Sequence, residues 1–492
     1  MRRKPVVFIA LCAIFSFILA GCGSTGSQST SSSQPPLPGG TNAGSPPSSG
    51  SQPGSGSSAG SSGGSTGGSG STTGSGSGSG TSAGSGSGSG GSGTGSGTTQ
   101  AGWSESKSSL GFAGQMRAAD FNGDGHQDLL VFRSGLDVLL NNGSGTFSAP
   151  ATSALPSGAI AIVQVAIADL NGDGFTDVAA CAVGNGASGS AAVYLNDHSG
   201  KLILGQVIAL PAACKGIAAG DANRDGKADL AIAYYTGSFT APTSQIATWF
   251  GDGTGHFANP ANQTVTLTFS QEADRNPCSI TTTAGADFDG DSTLDLLVFG
   301  LCQQGSSATT GNIYFAHGDG TGHYVLTKLT EANTGASPSP SPYVKDINGD
   351  GKLDVVYLQE VTGPHGSDGT DLDYAINNGV SFTLIKTVSE SAYAGNGVDI
   401  RTGSPLNGVG TAIEGFDMES ASDLPASYGV KLFSDVNSSP AQTWIYGSAN
   451  YTAPGHVTGI ASADFDGNGL QDFAVTEEDS NHVATLHVYL NH

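Results

Sequence analysis

Six nine-residue stretches carry most of the chemistry legible in this 492-residue chain. They read DFNGDGHQD from Asp120, DLNGDGFTD from Asp169, DANRDGKAD from Asp221, DFDGDSTLD from Asp287, DINGDGKLD from Asp346 and DFDGNGLQD from Asp464. Side-chain oxygens fall at positions 1, 3, 5 and 9 of every copy. The residues are Asp120, Asn122, Asp124 and Asp128; Asp169, Asn171, Asp173 and Asp177; Asp221, Asn223, Asp225 and Asp229. The later copies supply Asp287, Asp289, Asp291 and Asp295; Asp346, Asn348, Asp350 and Asp354; Asp464, Asp466, Asn468 and Asp472. A hard divalent cation takes six to eight oxygens with tolerant geometry, and alternate residues of a tight loop can all face one centre. Glycine at position 6 suits the sharp turn. The alternative is a set of Asx turns that satisfy backbone donors without a metal. Carboxylates crowded six times over would repel one another without a cation, which favours calcium. An EF-hand is excluded, because its position-12 glutamate is replaced by Val131 in the first copy and Ala180 in the second.

The elements that must position these loops follow from their spacing. First aspartates fall at 120, 169, 221, 287, 346 and 464, steps of 49, 52, 66, 59 and 118. The last step is twice 59, and midway Pro405-Leu406-Asn407-Gly408-Val409-Gly410 overlays the loop without its ligands, marking a seventh repeat that has lost its site. Small residues precede each loop, as in Ala118-Ala119, and an apolar run such as Leu129-Leu130-Val131 leaves it. A third strand then ends in a turn, as at Val138-Leu139-Leu140-Asn141, and a fourth is expected from Phe147, Leu202, Phe257 or Tyr324. Four antiparallel strands repeated about seven times describe an all-β, seven-bladed β-propeller, whose crowded inner strands favour small side chains. The chain stops after a third strand at Asn491, so Ser104 to Phe112 is expected to complete the last blade and close the ring.

The loops, together with the outer turn Phe147-Ser148-Ala149-Pro150, resemble the FG-GAP/VCBS repeats of integrin-α-like propellers. The resemblance covers the whole folded part. It implies calcium, about six ions per chain, held also by the position-7 backbone carbonyls of His126, Phe175, Lys227, Thr293, Lys352 and Leu470. Two loops depart from the pattern: Ser292 replaces the glycine of the fourth, and Asn468 removes a charge from the sixth.

Residues 1–21 open with Arg2, Arg3 and Lys4, continue through an apolar run and end in small residues, the pattern of a signal peptide. Leu19-Ala20-Gly21-Cys22 resembles the bacterial lipobox, which implies lipidation of Cys22 and anchoring at the outer membrane or cell surface. Residues 22–100 are almost entirely Ser, Gly, Thr, Pro and Ala, a disordered tether by composition. Its end-to-end distance is on the order of 50 Å. Residues 101–492 form the propeller.

With 17 basic and 41 acidic residues the formal charge is −24, and nucleic acid is a poor partner for such a chain. Nineteen of those acids are loop aspartates, so the acidity says little about the true partner. Outside the export segment stand Cys181, Cys214, Cys278 and Cys302, an even number that indicates disulfides in an exported chain. Cys278 and Cys302 flank one loop-connected hairpin and are the favoured pair, leaving Cys181 with Cys214 by elimination.

Function reads first as recognition or adhesion, with a glycan or protein ligand at the cell surface. A scaffold subunit of an envelope complex ranks second and a polysaccharide-acting enzyme third. His256 and His323 recur as outer-turn residues, and nothing else resembles a catalytic constellation, so the chain is not expected to be an enzyme. Insertions at Tyr234 to Gln245, Gln303 to Thr310 and Thr362 to Asp371 lie on the face opposite the metal loops. They are read as long loops and share that face with the connection Ser270 to Pro277, with Tyr234, Tyr235, Phe239, Arg275, Gln303 and Gln304 as ligand contacts.

Overall fold

A computed structural model describes residues 103–492, apart from 185–188, 239–240, 268–277, 305–307, 335–336, 339–341, 347–349, 364–365, 391–397, 407–410, 419–426, 435–440, 449–454 and 480. The export segment, Cys22 and the tether therefore lie outside the described residues, as do Phe239, Arg275 and Asn348.

The described residues are all-β, with no helix among them. Their strands form seven antiparallel sheets, six of four strands and one of five. The first repeat shows the rule. Gln115–Ala119 runs up to the aspartate loop, Asp128–Phe132 leaves it, Leu136–Leu139 returns, and Ala151–Ser153 lies outermost. Every aspartate loop thus joins the first and second strands of its sheet, and all occupy the same position in the strand order. The seventh repeat keeps its hairpin, Val398–Leu406 with Thr411–Met418, although its connection has no ligand set.

The sheet that ends the chain takes its fourth strand from the start of the folded part. Trp103–Leu110 pairs with Ala484–Asn491 in a register running from Trp103 opposite Asn491 to Leu110 opposite Ala484. Among the described residues, neighbouring sheets bury one face on the next, as β-propeller blades do. Phe132 and Val138 pack with Val178 and Tyr194 of the second sheet, and Phe299 and Phe315 pack with Val355 and Phe382 of the fifth. Phe465 and Val488 of the last sheet pack with Leu129 and Val131 of the first. Burying one such side chain stabilises the fold by about 1.5–3 kcal/mol. The innermost strands approach so closely that a Cβ on Gly285 would collide with the side chain of Ala218 in the neighbouring sheet. This explains the alanines and glycines before five of the six loops, the fifth being preceded by Tyr343-Val344-Lys345.

Two expectations about strands need correction. Phe147 and Phe257 make only isolated bridges, to Asn141 and Gly251, and the outer strands begin later, at Ala151 and Gln263. Pro150 and Pro260 intervene, and neither has an N–H to give to a ladder. The insertions are also not loops. Tyr234 pairs with Gln245, Gln303 with Thr309, and Gln359 with Asp371, so the added residues lengthen second and third strands into tall hairpins. Their β-branched and aromatic content continues the ladder instead of breaking it.

Candidate metal centres

Each loop is shaped by its own carboxylates. In the first, Asp120 Oδ1 accepts the N–H of Gly123 at 2.7 Å and Oδ2 that of Gly125 at 2.9 Å. Asn122 Oδ1 accepts from Asp124 N at 3.0 Å, and Asp124 Oδ1 from His126 N at 2.9 Å. The second loop repeats all four bonds. Positions 4 and 6 both take positive φ, 73° at Gly123 and 87° at Gly125. Arg224 in the third loop and Ser292 in the fourth adopt the same region at 63° and 66°, so neither substitution changes the form of its loop. Both carry the cost of a side chain where glycine has none.

Position 9 does something the sequence does not announce. Asp128 is fully buried, its Oδ2 accepts the N–H of Phe121 at 2.9 Å, and its Oδ1 accepts that of Asn141 at 2.7 Å. The pair recurs at Asp177, Asp229, Asp295 and Asp472, and Asp354 holds the N–H of Asn377. One carboxylate therefore ties the start of the loop to the end of the third strand. Burial, opposed in part by these two N–H groups and reinforced by Asp124 and Asp120, pushes Asp128 up to about 6. Asp229, Asp295 and Asp472 are likewise raised to about 6, with burial the largest cause. Position 5 goes the other way. At Asp124 and Asp173 burial is the largest single cause and raises the pKa, but the position-7 N–H and the neighbouring amide, joined at Asp173 by His198, together outweigh it and hold both below the usual carboxylate range.

These side chains fit a hard cation. Each carboxylate oxygen that accepts one N–H retains a second lone pair, and three or four acids share one nine-residue turn. Carboxylates of Asp287, Asp289 and Asp291 converge to within 4.8 Å of one another, as do those of Asp464, Asp466 and Asp472. The fourth loop differs from the rest. Arg224 Nη2 from the third loop contacts Asp291 Oδ2 at 2.6 Å, and His317 from the third strand of its own sheet reaches Asp289 and Asp295.

The asparagines that end the third strands were legible only as turn residues. Asn196 Nδ2 donates to the carbonyl of Phe121, in the loop of the preceding sheet, at 2.6 Å. Asn141 makes the corresponding bond to Phe465, and Asn377 to Phe288.

Of the expected ligand contacts, Tyr234 is 5% exposed and sits in a core cluster with Cys181, Cys214 and Ile232, so it offers no contact area. Alternation along the strand turns it inward opposite Cys214 and leaves Tyr235 half-buried under Lys215, whose Nζ lies 5.4 Å from its ring centroid. Gln303 and Gln304 stand in the hairpin opposite Thr309 and Ala308. Cys181 and Cys214 form a disulfide, with Cα atoms 5.5 Å apart, that joins the second and third sheets. Cys278 and Cys302 are direct cross-strand partners in register.

Where the inner strands converge there is a cavity of about 380 Å³. Its wall includes Arg117, Lys345, Gln164 and Thr283 and, among the described residues, no carboxylate. Gln164 spans two further sheets there, donating to Thr283 O at 2.8 Å and accepting from Ile217 N at 3.2 Å.

Antiparallel sheets packed face on face, with aspartate loops between the first and second strands, define a β-propeller, and this one contains FG-GAP-like repeats. The FG-GAP-like repeat family matches residues 120–180 and 287–357. No curated protein matches the chain. Similar solved structures include the periplasmic gluconolactonase of Pseudomonas aeruginosa, at 13% identity and a TM-score of 0.41, covering 76% of this chain and 96% of that one. The Dos1 propeller is another, at 11% identity and a TM-score of 0.44, covering 79% and 95%. The first of these is an enzyme, which corrects the expectation that this chain is not one: a solved propeller similar to it carries a catalytic name. Similarity at that level transfers neither substrate nor residues.

Proposed function

We propose that the chain is a calcium-stiffened recognition module, tethered to the outer membrane or cell surface, that binds a glycan or a protein. The reading rests on one observation: in every fully described loop the same oxygens are gathered at the same end of the first and second strands. Cations there would neutralise carboxylates that otherwise repel, and would lock each loop to the third strand through the position-9 aspartate. A rigid ring then holds its hairpin tips in fixed relation, which lowers the ordering cost of binding a partner. The lipid anchor on Cys22 and the tether supply reach from the membrane.

The test is an array of surface glycans and envelope proteins probed with the full exported chain, first in calcium and then in chelator. The reading expects a ligand held in calcium, released by chelator and recovered when calcium is restored. Retention of every ligand at undiminished affinity in chelator would count against it.

A further inference from the structure

The fourth loop holds a histidine where the other described loops hold none. The third-strand residue that precedes the position-9 clasp is Leu140, Leu195, Phe250, Ile376 and Leu490 in the other sheets with an aspartate loop, and His317 here. His317 Nδ1 lies 3.1 Å from Asp289 Oδ2 and 3.2 Å from Asp295 Oδ1. These are hydrogen-bond distances, yet the nitrogen is shielded from solvent and has no hydrogen-bond partner, because neither oxygen lies in a suitable direction. A histidine at an aspartate loop need not behave so. His198 makes an ordinary 2.8 Å hydrogen bond from Nε2 to Asp173 Oδ2 in the second loop.

Two carboxylate oxygens, each about 3 Å from the same imidazole nitrogen and within 4.8 Å of each other, have the spacing of ligands around one ion. Bonds of about 2.1 Å place neighbouring donors roughly 3.0 Å apart at right angles and roughly 3.4 Å apart at tetrahedral angles. Both carboxylates have capacity for it. Asp289 Oδ1 accepts the N–H of Asp291 and leaves Oδ2 toward the histidine, and Asp295 Oδ1 accepts only the Gly318 N–H, leaving a lone pair. The all-oxygen alternative is weakened at the same loop, because Asp291 is engaged by Arg224, whose Nε also donates to Thr293 Oγ1 at 3.1 Å.

We propose that Asp289, Asp295 and His317 form a nitrogen–oxygen site for a divalent transition-metal ion of the zinc or cobalt type, chemically distinct from the all-oxygen loops. Imidazole nitrogen suits such ions, whereas calcium selects oxygen. The inference concerns this loop alone and stands whether or not the other loops take calcium.

The experiment uses the untagged full chain, stripped of metal, equilibrated with excess calcium and titrated with cobalt(II), with metal content and visible absorption measured together. One cobalt per chain is expected, with d–d bands that persist in excess calcium and vanish on adding zinc. His317→Leu restores the residue type of three sibling sheets and should keep the fold, seen as unchanged circular dichroism, while weakening cobalt binding by about 10–100-fold or more. Arg224→Ala should leave the cobalt spectrum in place. A wild-type chain that takes up no cobalt in calcium overturns the proposal. So does a His317→Leu chain that binds cobalt with the wild-type spectrum and affinity. Calcium content of the same samples reports separately on the other loops, so cobalt bound without calcium elsewhere would contradict the calcium reading and leave this one intact.

Discussion

Asn141 Nδ2 donates to the backbone carbonyl of Phe465 at 2.8 Å, joining the first sheet to a loop 324 residues further along the chain. The same amide donates to the carbonyl of Gln127 at 3.1 Å in its own loop. One buried side chain thus holds two loops at fixed separation. Asn141→Ala removes both bonds, while the Phe465 carbonyl keeps the N–H of Gly145 at 2.9 Å, so the loss is that of two hydrogen bonds, about 1–3 kcal/mol. Chemical denaturation of the variant should show that loss in its midpoint, and an unchanged midpoint would show that the clasp contributes nothing.

The position-9 aspartates give a prediction that separates backbone from metal. Asp128→Asn keeps the shape, but its amide nitrogen must face one of the two N–H groups that the carboxylate accepts. Destabilisation of about 1–3 kcal/mol should therefore survive in chelator, where no cation contributes. If chelator removes the difference between variant and wild type, Asp128 acts through metal only.

Much of this architecture was legible because the loop spacing is a period and inner strands must be small. What escaped has a common cause. Tyr234 looked like an exposed aromatic in a loop, but the insertion continues the ladder, and strand alternation turns the ring into the core opposite Cys214. Asn141 and Asn196 read as turn residues because their partners lie in the preceding sheet, a relation set by radial packing that local sequence does not encode. His317 carried a signal that could have been found: aligning the third strands of the repeats leaves one histidine in a column of Leu, Phe and Ile.

The seam between Trp103–Leu110 and Ala484–Asn491 should respond to pH. His487 Nδ1 lies 2.9 Å from Glu105 Oε1, and its Nε2 lies 3.1 Å from Glu477 Oε2, an arrangement that favours the imidazolium, which can donate from both nitrogens. Burial depresses its pKa, but the two carboxylates outweigh burial and the net value is raised above 6.5. Burial also opposes ionisation of Glu105, yet His487, Tyr489 and Lys107 hold it at about 2 instead of 4.5. The histidine contribution is complete below its unfolded value and is lost as pH rises through the raised folded one. The glutamate contribution is complete above its unfolded value and is lost as pH falls toward the depressed one. Urea midpoints of wild type and His487→Leu should therefore differ more at about pH 5.5 than at about pH 8.5. Equal differences at both would contradict the charged seam.

The Cys181–Cys214 disulfide spans 33 residues, and replacing both cysteines with alanine should cost roughly 2–4 kcal/mol. Thermal melts with and without reductant measure it, and a wild-type melt insensitive to reductant would contradict a stabilising bridge.

The calcium-stiffened ring is the central claim of the proposed function, and metal analysis paired with a melt tests it most directly. Full-length protein equilibrated with calcium and then freed of unbound metal should retain an ion at each all-oxygen loop, and chelator at neutral pH should lower its melting temperature. Protein that holds no calcium, or that melts at the same temperature with chelator as with calcium, would contradict the account.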